Sequence, residues 1–449
     1  MRGERYVLLG LARARSEWFR SVALWATASA IPAEFSKCVS AEELRTRLQS
    51  GRSFSAALLD GTLPATDRDL IAAVREAGCV PIVVDDDRGR DWTSIGAAVV
   101  LPSKVGLEDL LDALAAHATM VRSGDVAPTL DVGILPPVTD PTPLVVVCGP
   151  GGTGASSVAI ALAQGLAEPA YRAVPGGGGP VLLADFCRWA DLAMLHDARD
   201  VVPGVQELVE LHRGRRPGTP EVQAQTFHVT ERGYHLLLGL RRPRYWSALR
   251  SRSFEAALSS LRQAFAAVVC DVEPDLEGEE DGGSLDVEER NLMARTAVGQ
   301  ADGVFVVGRP DMPGLHGLVR LIGDLVAFGV PESRIVPVLN QTPRRPRLRA
   351  ELTRAFHDLV GPVIDASGAP SPTPAEEAAH LPPLFLPARR VNEALRDGVP
   401  LPSPLPAILV GVYRALLGAR ADGLPTATGP VPVAPGSVGA LTRQEVPRR

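Results

Sequence analysis

Short runs of apolar residues alternate with longer segments of helical spacing in the first part of the chain. The apolar runs lie at Tyr6–Leu9, Ala56–Leu59, Pro81–Val84 and Ala97–Leu101. Helix-like segments lie between them, for example at Ala41–Gln49 and Asp67–Ala77. Alternating strands and helices favour a parallel sheet flanked by helices. The pattern therefore predicts a small α/β unit over residues 1–120.

The same alternation resumes at residue 144 and continues to about residue 420. Its strand-like runs are continuously apolar, as expected of parallel strands buried on both faces. They lie at Leu144–Cys148, Pro180–Asp185, Phe265–Asp271, Ala301–Gly308 and Ile335–Asn340, and a closing strand is expected near Leu384–Pro387. We therefore predict a second α/β unit, a parallel sheet with helices on both faces.

Two segments rich in proline separate or follow these units. Residues 121–143 contain Pro128, Pro136, Pro137, Pro141 and Pro143 and read as an extended linker. Residues 421–449 are rich in Pro and Gly without apolar periodicity, which predicts a disordered tail. A chain of 449 residues also exceeds the size of a single core. The predicted domains are 1–120 and 144–420.

Charge and hydropathy narrow the possible partners. The net charge of −6 argues against coating by nucleic acid, and three arginine clusters are interpreted as solvated loops, so DNA is not an expected partner. No apolar run approaches the ~20 residues that span a bilayer, and no signal peptide precedes the first strand. Leu405–Leu417 has helical spacing and is interpreted as core. We expect a cytoplasmic protein whose five scattered cysteines are buried and reduced.

A glycine-rich loop follows the strand at Leu144–Cys148 and precedes a helix-like segment at Val158–Ala167. A strand, a glycine loop and a helix in this order can wrap backbone N–H groups around a phosphate. A simple strand-to-helix turn is the alternative. The predicted nucleotide-binding residues are Gly149, Gly151, Gly152, Thr153, Gly154, Ala155, Ser156 and Ser157.

The loop resembles the deviant Walker A motif of the MinD/ParA family of P-loop ATPases. In that family one lysine follows the first glycine and another precedes the Ser or Thr, but this chain has Pro150 and Ala155 there. The resemblance implies a homodimer that binds ATP or ADP with Mg²⁺, and Ser156 as a metal ligand. Loss of both lysines removes positive charge where phosphate charge develops, so we expect weak nucleotide binding and slow or absent hydrolysis. Whether the protein is an enzyme stays open.

Three further strand ends match the family. The resemblance implies that Asp185 helps to activate water, that Asp271 holds Mg²⁺, and that Asn340 lies against the adenine. Each is also a common turn or cap residue, which is the alternative. The acidic run Glu273–Glu289 falls where the family has its second switch and is expected to be a solvated loop.

The first unit resembles the receiver domains of response regulators. Asp60 stands at the end of one predicted strand and Lys104 at the end of a later one, as the phospho-accepting aspartate and the lysine of receivers do. The acidic pair expected after the first strand is replaced by Leu8–Leu11. Mg²⁺ then has few ligands, so we interpret the unit as a pseudo-receiver with a flavodoxin-like fold. Alternatively, both residues are ordinary loop residues.

A pseudo-receiver ahead of a degenerate MinD/ParA unit resembles proteins of the TadZ/CpaE type and the related septum-site-determining proteins. The resemblance implies a localisation factor, placed at a pole or septum, that recruits a secretion or pilus-assembly ATPase or cell-division proteins. Membrane association is expected only through partners. Two alternatives stay open: an active ATPase with a substitute cation such as Arg188, and a phosphorylation-responsive regulator that uses Asp60.

Overall fold

The computed structural model describes residues 5–13, 16–121, 142–171, 179–279, 284–366, 383–387, 391–402 and 404–423. Nearly all of the predicted linker, 121–143, lies outside these residues, and so does the predicted tail beyond residue 423. The last described helix runs to residue 423, slightly past the predicted end of the second unit. Two separate sheets organise the described residues.

The N-terminal sheet has five parallel strands in the order β2-β1-β3-β4-β5, which is the flavodoxin-like order. The strands are β1 Tyr6–Leu11, β2 Ala33–Cys38, β3 Ala56–Asp60, β4 Val80–Val84 and β5 Val99–Leu101. The helices are α1 Glu17–Thr27, α2 Ala41–Leu48, α3 Arg68–Glu76 and α4 Leu107–His117, with a 3-10 turn at Thr93–Ile95. Helices α1 and α4 cover one face of the sheet, and α2 and α3 cover the other. The predicted receiver-like fold is confirmed.

Strand β2 was not predicted from the sequence. Only its first and last residues are buried, and Glu34, Ser36 and Lys37 lie between them. The strand stands at the edge of the sheet and pairs with β1 alone. An edge strand needs less apolar surface than a central one, so its apolar signal is weak.

The C-terminal sheet has eight strands in the order β13-β12-β11-β6-β10-β7-β9-β8. The strands are β6 Leu144–Cys148, β7 Val181–Phe186, β8 Phe227–Val229, β9 Tyr234–Leu237, β10 Ala267–Val272, β11 Gly303–Gly308, β12 Ile335–Leu339 and β13 Leu384–Phe385. The predicted strands are present, and all of their pairings are parallel.

One edge of this sheet departs from the fully parallel prediction. Strand β9 pairs with β7 in parallel, but β8 returns antiparallel to β9 as a hairpin. Neither strand was predicted from the sequence. Both are short, and each carries a histidine, His228 and His235, that interrupts the apolar run.

Helices cover both faces of the larger sheet, as predicted. They are α5 Ala155–Ala167, α6 Leu192–Leu195, α7 Val205–Arg213, α8 Thr219–Gln223, α9 Ser251–Ala264, α10 Leu285–Arg290, α11 Leu292–Gly299, α12 Met312–Ala327, α13 Pro346–Ala366, α14 Val391–Arg396 and α15 Pro404–Gly423, with 3-10 turns at Pro169–Tyr171, Pro243–Ala248 and Glu332–Arg334. One core layer contains residues of α7, α9, α12 and α13, and the other contains residues of α5 and α15. The described residues include no helix with the length and apolar character needed to cross a bilayer.

Helix α15 belongs to the core, as the interpretation of Leu405–Leu417 expected. Leu409 and Tyr413 are fully buried. A Cβ on Gly165 of α5 would lie 2.7 Å from a methyl carbon of Val410, so the two helices approach closely there. Cys38, Cys79, Cys148 and Cys270 are buried free thiols, and Cys187 is half-buried.

Helix α3 of the N-terminal unit packs against α7 and α9 of the C-terminal unit. The Asp69 carboxylate accepts hydrogen bonds from the backbone N–H of Arg252 at 2.9 Å and from the Ser253 hydroxyl at 2.7 Å, so it caps the start of α9. Arg213 at the end of α7 forms an ion pair with Asp67 at 3.0 Å. These polar contacts hold the two units together.

Candidate nucleotide-binding site

The glycine loop at Gly149–Gly154 joins β6 to α5 through a tightly packed turn. A Cβ on Gly149 would lie 2.8 Å from Thr153 Oγ1 and nearer still to the carbonyl oxygen of Val307 in β11. Gly152 and Gly154 have φ angles of +80° and +89°, which side chains disfavour. The Thr153 hydroxyl closes the turn by donating to the Pro150 carbonyl at 2.7 Å. The loop therefore keeps a glycine-dependent shape that leads into a helix N-terminus.

Asn340 braces this loop from the end of β12. Its Nδ2 donates to the Thr153 carbonyl at 2.9 Å, and a Cβ on Gly154 would lie 2.6 Å from the same nitrogen. Its Oδ1 accepts from the backbone N–H of Gln341 at 2.9 Å. Asn340 thus lies beside the glycine loop, and both of these contacts are made to protein atoms. A contact between Asn340 and an adenine stays a prediction.

The two positions of the family's lysines carry no charge. Pro150 is half-buried and faces α12, where a Cβ on Gly317 would come within 3.0 Å of the Pro150 ring. Ala155 is the first residue of α5. The backbone N–H groups at the start of α5 and the helix dipole therefore supply the positive potential at this loop.

Two carboxylates lie side by side next to the loop. Asp185 on β7 and Asp271 on β10 are direct partners in the parallel register, and their exposed fractions are 0% and 3%. Asp185 accepts from the backbone N–H of Cys187 at 3.1 Å and of Leu192 at 3.0 Å. The Ser156 hydroxyl of α5 is hydrogen-bonded to Asp271. The structure thus brings Ser156, Asp185 and Asp271 together, and their roles toward a nucleotide and Mg²⁺ stay predictions.

Burial makes these carboxylates weak acids. Burial raises the pKa of Asp271 to about 7, although the hydrogen bond from Ser156 opposes the shift. Burial, and then the neighbouring Asp271 charge, raise the pKa of Asp185 well above its ordinary value. Near neutral pH the pair therefore carries less negative charge than two ordinary carboxylates would. This limits the electrostatic repulsion between the pair and a phosphate group.

The substitute cation considered from the sequence, Arg188, is engaged elsewhere. Its Nε donates to Glu273 Oε2 at 2.5 Å, and its guanidinium lies 3.5 Å from Asp275. Glu273 and Asp275 belong to the acidic segment after β10. Two carboxylates thus hold Arg188, a pairing that no local sequence pattern would reveal because the partners are 85 positions apart.

The described part of the acidic segment is packed and not a freely solvated loop. Asp275 accepts from Asn291 Nδ2 at 2.8 Å and from Arg290 at 3.1 Å, and Arg295 donates to the Leu276 carbonyl at 2.5 Å. Leu276 is 8% exposed. The expectation of a solvated loop was therefore wrong for Glu273, Asp275 and Leu276, because arginines pair with the two acids and Leu276 is buried, whereas Glu277 and Glu279 are exposed. Residues 280–283 lie outside the described part.

The oxygen atoms of Ser156 and Asp271 suit a Mg²⁺ ion. Magnesium in phosphate sites takes one or two carboxylates together with hydroxyl and phosphate oxygens, and both side chains supply hard oxygen donors at the start of α5. In the described portion of the chain, no cluster of three or more His, Cys, Asp and Glu side chains could hold a metal ion. Ser156 and Asp271 would hold Mg²⁺ alongside a bound nucleotide, where the ion would neutralise phosphate charge.

The candidate site of the N-terminal unit centres on one strand-end carboxylate, Asp60. Asp60 at the end of β3 is 5% exposed, and its Oδ1 accepts from Thr62 Oγ1 at 2.6 Å and from Thr62 N at 2.9 Å. The apolar Leu11 ends β1, where receivers carry acids. Lys104 is exposed, and among the described residues no ion pair joins it to Asp60. These two side chains are therefore placed near strand ends without direct contact.

Comparison with known proteins identifies structures of related fold. No family model matches the chain, and no curated protein matches it. A ParA family ATPase from Chlorobium tepidum is 14% identical over 63% of this chain and 94% of its own, with a TM-score of 0.40. Cyanothece McdA in complex with ATP is 16% identical over 62% and 98%, with a TM-score of 0.41. The Pyrococcus furiosus cell division ATPase MinD is 17% identical over 62% and 100%, with a TM-score of 0.41. Two of these three neighbours are ATPases, and the third is a complex with ATP.

Proposed function

We propose that this protein is a MinD/ParA-like positioning factor that acts through dimerisation and partner recruitment, with weak or no ATP hydrolysis. The observation that carries the proposal is a fully shaped glycine loop that lacks both lysines. Gly149, Gly152 and Gly154 keep the tight turn, whereas Pro150 and Ala155 occupy the lysine positions. A loop that keeps its shape but lacks both lysines is better suited to binding a nucleotide than to catalysing its hydrolysis.

The electrostatics support weak binding of ATP or ADP. A triphosphate meets backbone N–H groups and the dipole of α5, and Mg²⁺ held by Ser156 and Asp271 would offset part of its charge. Arg188, which is paired with Glu273, adds little. Phosphoryl transfer depends on cations that stabilise the developing charge, so hydrolysis should be slow.

We infer the biological role from the families that the sequence motifs resemble. We place the protein in the cytoplasm, at a pole or septum, where it recruits a pilus-assembly or secretion ATPase or cell-division proteins. In this proposal it is of the TadZ/CpaE or septum-site-determining type, and it reaches a membrane only through partners. The N-terminal unit, with Asp60 but without a second acid at the end of β1, serves as an interaction module.

Calorimetry of Mg·ATP and Mg·ADP on the full chain, paired with light scattering, tests this proposal. We expect dissociation constants weaker than micromolar and a dimer whose formation does not need hydrolysis. Ser156→Ala is the matched variant, since it removes the hydroxyl that contacts Asp271 without changing the glycines. Micromolar binding with steady phosphate release, abolished by Ser156→Ala, would instead indicate an active ATPase.

The phosphorylation alternative has a separate test. Asp60 is nearly buried and bound to Thr62, and the apolar end of β1 offers no Mg²⁺ ligand. We therefore expect acetyl phosphate with Mg²⁺ to leave Asp60 unlabelled. Labelling of the wild type that disappears in Asp60→Ala would restore the regulator hypothesis.

A further inference from the structure

A cleft of about 1320 Å³ opens where the N-terminal and C-terminal units meet. One wall contains the loops after β3 and β4. The other contains α7, the segment that follows it, and Arg241, Ala248 and Leu249. The two walls approach closely, because a Cβ on Gly214 would lie 3.9 Å from Nη1 of Arg90. No residue of the glycine loop or of the carboxylate pair lines this cleft.

Arginines dominate the charged lining. The cleft is lined by six, namely Arg88, Arg90, Arg213, Arg215, Arg216 and Arg241. Four lining carboxylates oppose them, namely Asp67, Asp91, Glu207 and Glu210. Asp86 and Glu221, which lie outside the lining, compensate Arg88, Arg90 and Arg215. The cleft is therefore rich in arginine N–H donors, and what matters for an anion is which of these arginines lacks a carboxylate partner.

On the wall of the C-terminal unit, Arg216 is the arginine with the weakest charge compensation. Asp67 and Glu210 both pair with Arg213, and Glu207 pairs with Arg241. Arg215 pairs with Glu221 at 2.6 Å. Arg216 is exposed, and its described hydrogen bond goes to the neutral amide oxygen of Gln263 at 3.2 Å. It is free to contact an anion.

On the wall of the N-terminal unit, two arginines share one carboxylate. Arg88 and Arg90 lie 3.7 Å and 3.4 Å from the same Asp86 oxygen, whose side chain is fully buried. Asp91 accepts hydrogen bonds within its own turn, from Thr93 and Ser94. Arg90 also stacks over Trp92 at 5.2 Å, which fixes its guanidinium beside the cleft.

We infer that the cleft binds a small molecule with two or more phosphate groups, which bridges Arg90 on one wall and Arg216 on the other. Arginine binds phosphate with paired N–H donors, which suits this role better than a point charge. The volume slightly exceeds that of common small-molecule sites, which is enough for an oligophosphate or a nucleotide. This inference goes beyond the proposed function and involves a different site.

A bridging ligand would stabilise the contact between the two units. The lining residue Asp67 forms the ion pair with Arg213 that joins the units, and Thr66 donates to the Asp60 carbonyl at 2.7 Å. A ligand that binds only when the two walls of the cleft are together stabilises that arrangement, and the stabilisation grows with ligand concentration. The ligand would therefore strengthen the docking of the pseudo-receiver onto the C-terminal unit.

Calorimetry on the full chain tests this inference with pyrophosphate and tripolyphosphate as probes, in the absence of Mg²⁺. We expect saturable binding of tripolyphosphate that is weakened about tenfold or more by Arg216→Gln and by Arg90→Gln, because each removes a charge-assisted contact. Tripolyphosphate should also raise the thermal midpoint of the wild type and of the controls, and less so that of the two variants.

Two controls separate the cleft from other sites. Arg347→Gln removes an exposed arginine of α13 that pairs with Glu351 in the same helix and does not line the cleft. This variant should not change tripolyphosphate binding. Gly154→Ala distorts the glycine loop, because its Cβ would lie 2.6 Å from Asn340 Nδ2 at a φ of +89°, and it should also leave binding unchanged. The inference fails if tripolyphosphate does not bind at millimolar concentration, if Arg347→Gln weakens binding as much as the cleft variants, or if only Gly154→Ala weakens it.

Discussion

The two units of this protein place an acidic residue at the carboxyl end of a central strand, but they surround it differently. Asp60 is hydrogen-bonded to Thr62 and lies on β3, next to the apolar β1. Asp271 lies against Asp185, beneath a glycine loop whose turn is kept by Val307 and Asn340. Both carboxylates end a buried parallel strand, but only Asp271 has a second carboxylate and a glycine turn beside it. The comparison teaches that the groups packed around a strand-end carboxylate, and not its place in the sheet, decide its surroundings.

The largest expected effect concerns the buried carboxylate pair. Because the folded protein holds the Asp271 proton up to a pKa of about 7, against an ordinary value of 3.8, it binds more protons than the unfolded chain between these values. Stability should therefore fall as pH rises from about 4 to about 7, by as much as about 4 kcal/mol. Urea unfolding of wild type and Asp271→Asn across this range measures the effect.

The free energy of unfolding of Asp271→Asn should depend less on pH than that of the wild type, because asparagine cannot ionise. Asp185 will still contribute to the pH dependence of both proteins. Asp112→Asn, at an exposed position of α4, controls for the loss of one carboxyl group. Parallel profiles for wild type and Asp271→Asn would show that Asp271 does not titrate as a buried acid. The proposed difference between Asp271 and Asp60 would then lose its physical basis.

The next effect tests the packing of the glycine loop. We predict that Gly149→Ala lowers the free energy of unfolding by about 2–3 kcal/mol, because its Cβ would overlap the Val307 carbonyl and Thr153. Gly151→Ala is the matched control in the same loop, since a Cβ there meets no atom within 4 Å. Equal stability of the two variants in denaturant titrations would show that the loop is not held as described.

A smaller effect is expected at the junction of the units. Asp69→Ala removes the carboxylate that caps α9, so the free energy of unfolding should fall by about 1 kcal/mol. The two units should also unfold less cooperatively, which calorimetry detects as a broader transition. Asp112→Ala again serves as the control, and a loss equal to that of Asp69→Ala would argue against a specific cap.

The smallest effect is expected at Asp60. We predict that Asp60→Asn leaves Mg·ATP binding, measured by calorimetry, unchanged, since Asp60 and the glycine loop lie in different sheets. Asn also keeps an oxygen that can accept from Thr62. A change in nucleotide affinity would reveal a coupling between the units that static contacts do not suggest.

Much of the fold could be predicted from the apolar runs, because central parallel strands are buried on both faces. The runs at Leu144–Cys148 and Phe265–Asp271 became neighbouring strands β6 and β10 in this way. The edge strands β2 and β8, and the penultimate strand β9, were not predicted because polar residues interrupt their apolar runs. Their positions depend on pairing with distant segments, which no local window of sequence records.

The candidate site was only partly predictable. Glycine spacing and strand-end acids identified the loop, Ser156, Asp185 and Asp271. The brace from Asn340 to the Thr153 carbonyl joins residues 187 positions apart, and the capture of Arg188 by Glu273 is also long-range. The raised pKa of Asp271 results from burial, which depends on the folded structure. Such contacts form only in the folded chain and cannot be predicted from local sequence.

Placing a lysine in the glycine loop tests most directly whether the loop has the shape of a phosphate site and lacks only the positive side chains. Mg·ATP is titrated into the wild-type chain and into Ala155→Lys, which places a lysine at the first position of α5. We predict weak or undetectable binding by the wild type and at least about tenfold tighter binding by the variant, since a lysine contacts phosphate as a point charge. Micromolar binding by the wild type, with no gain in Ala155→Lys, would contradict this view of the site.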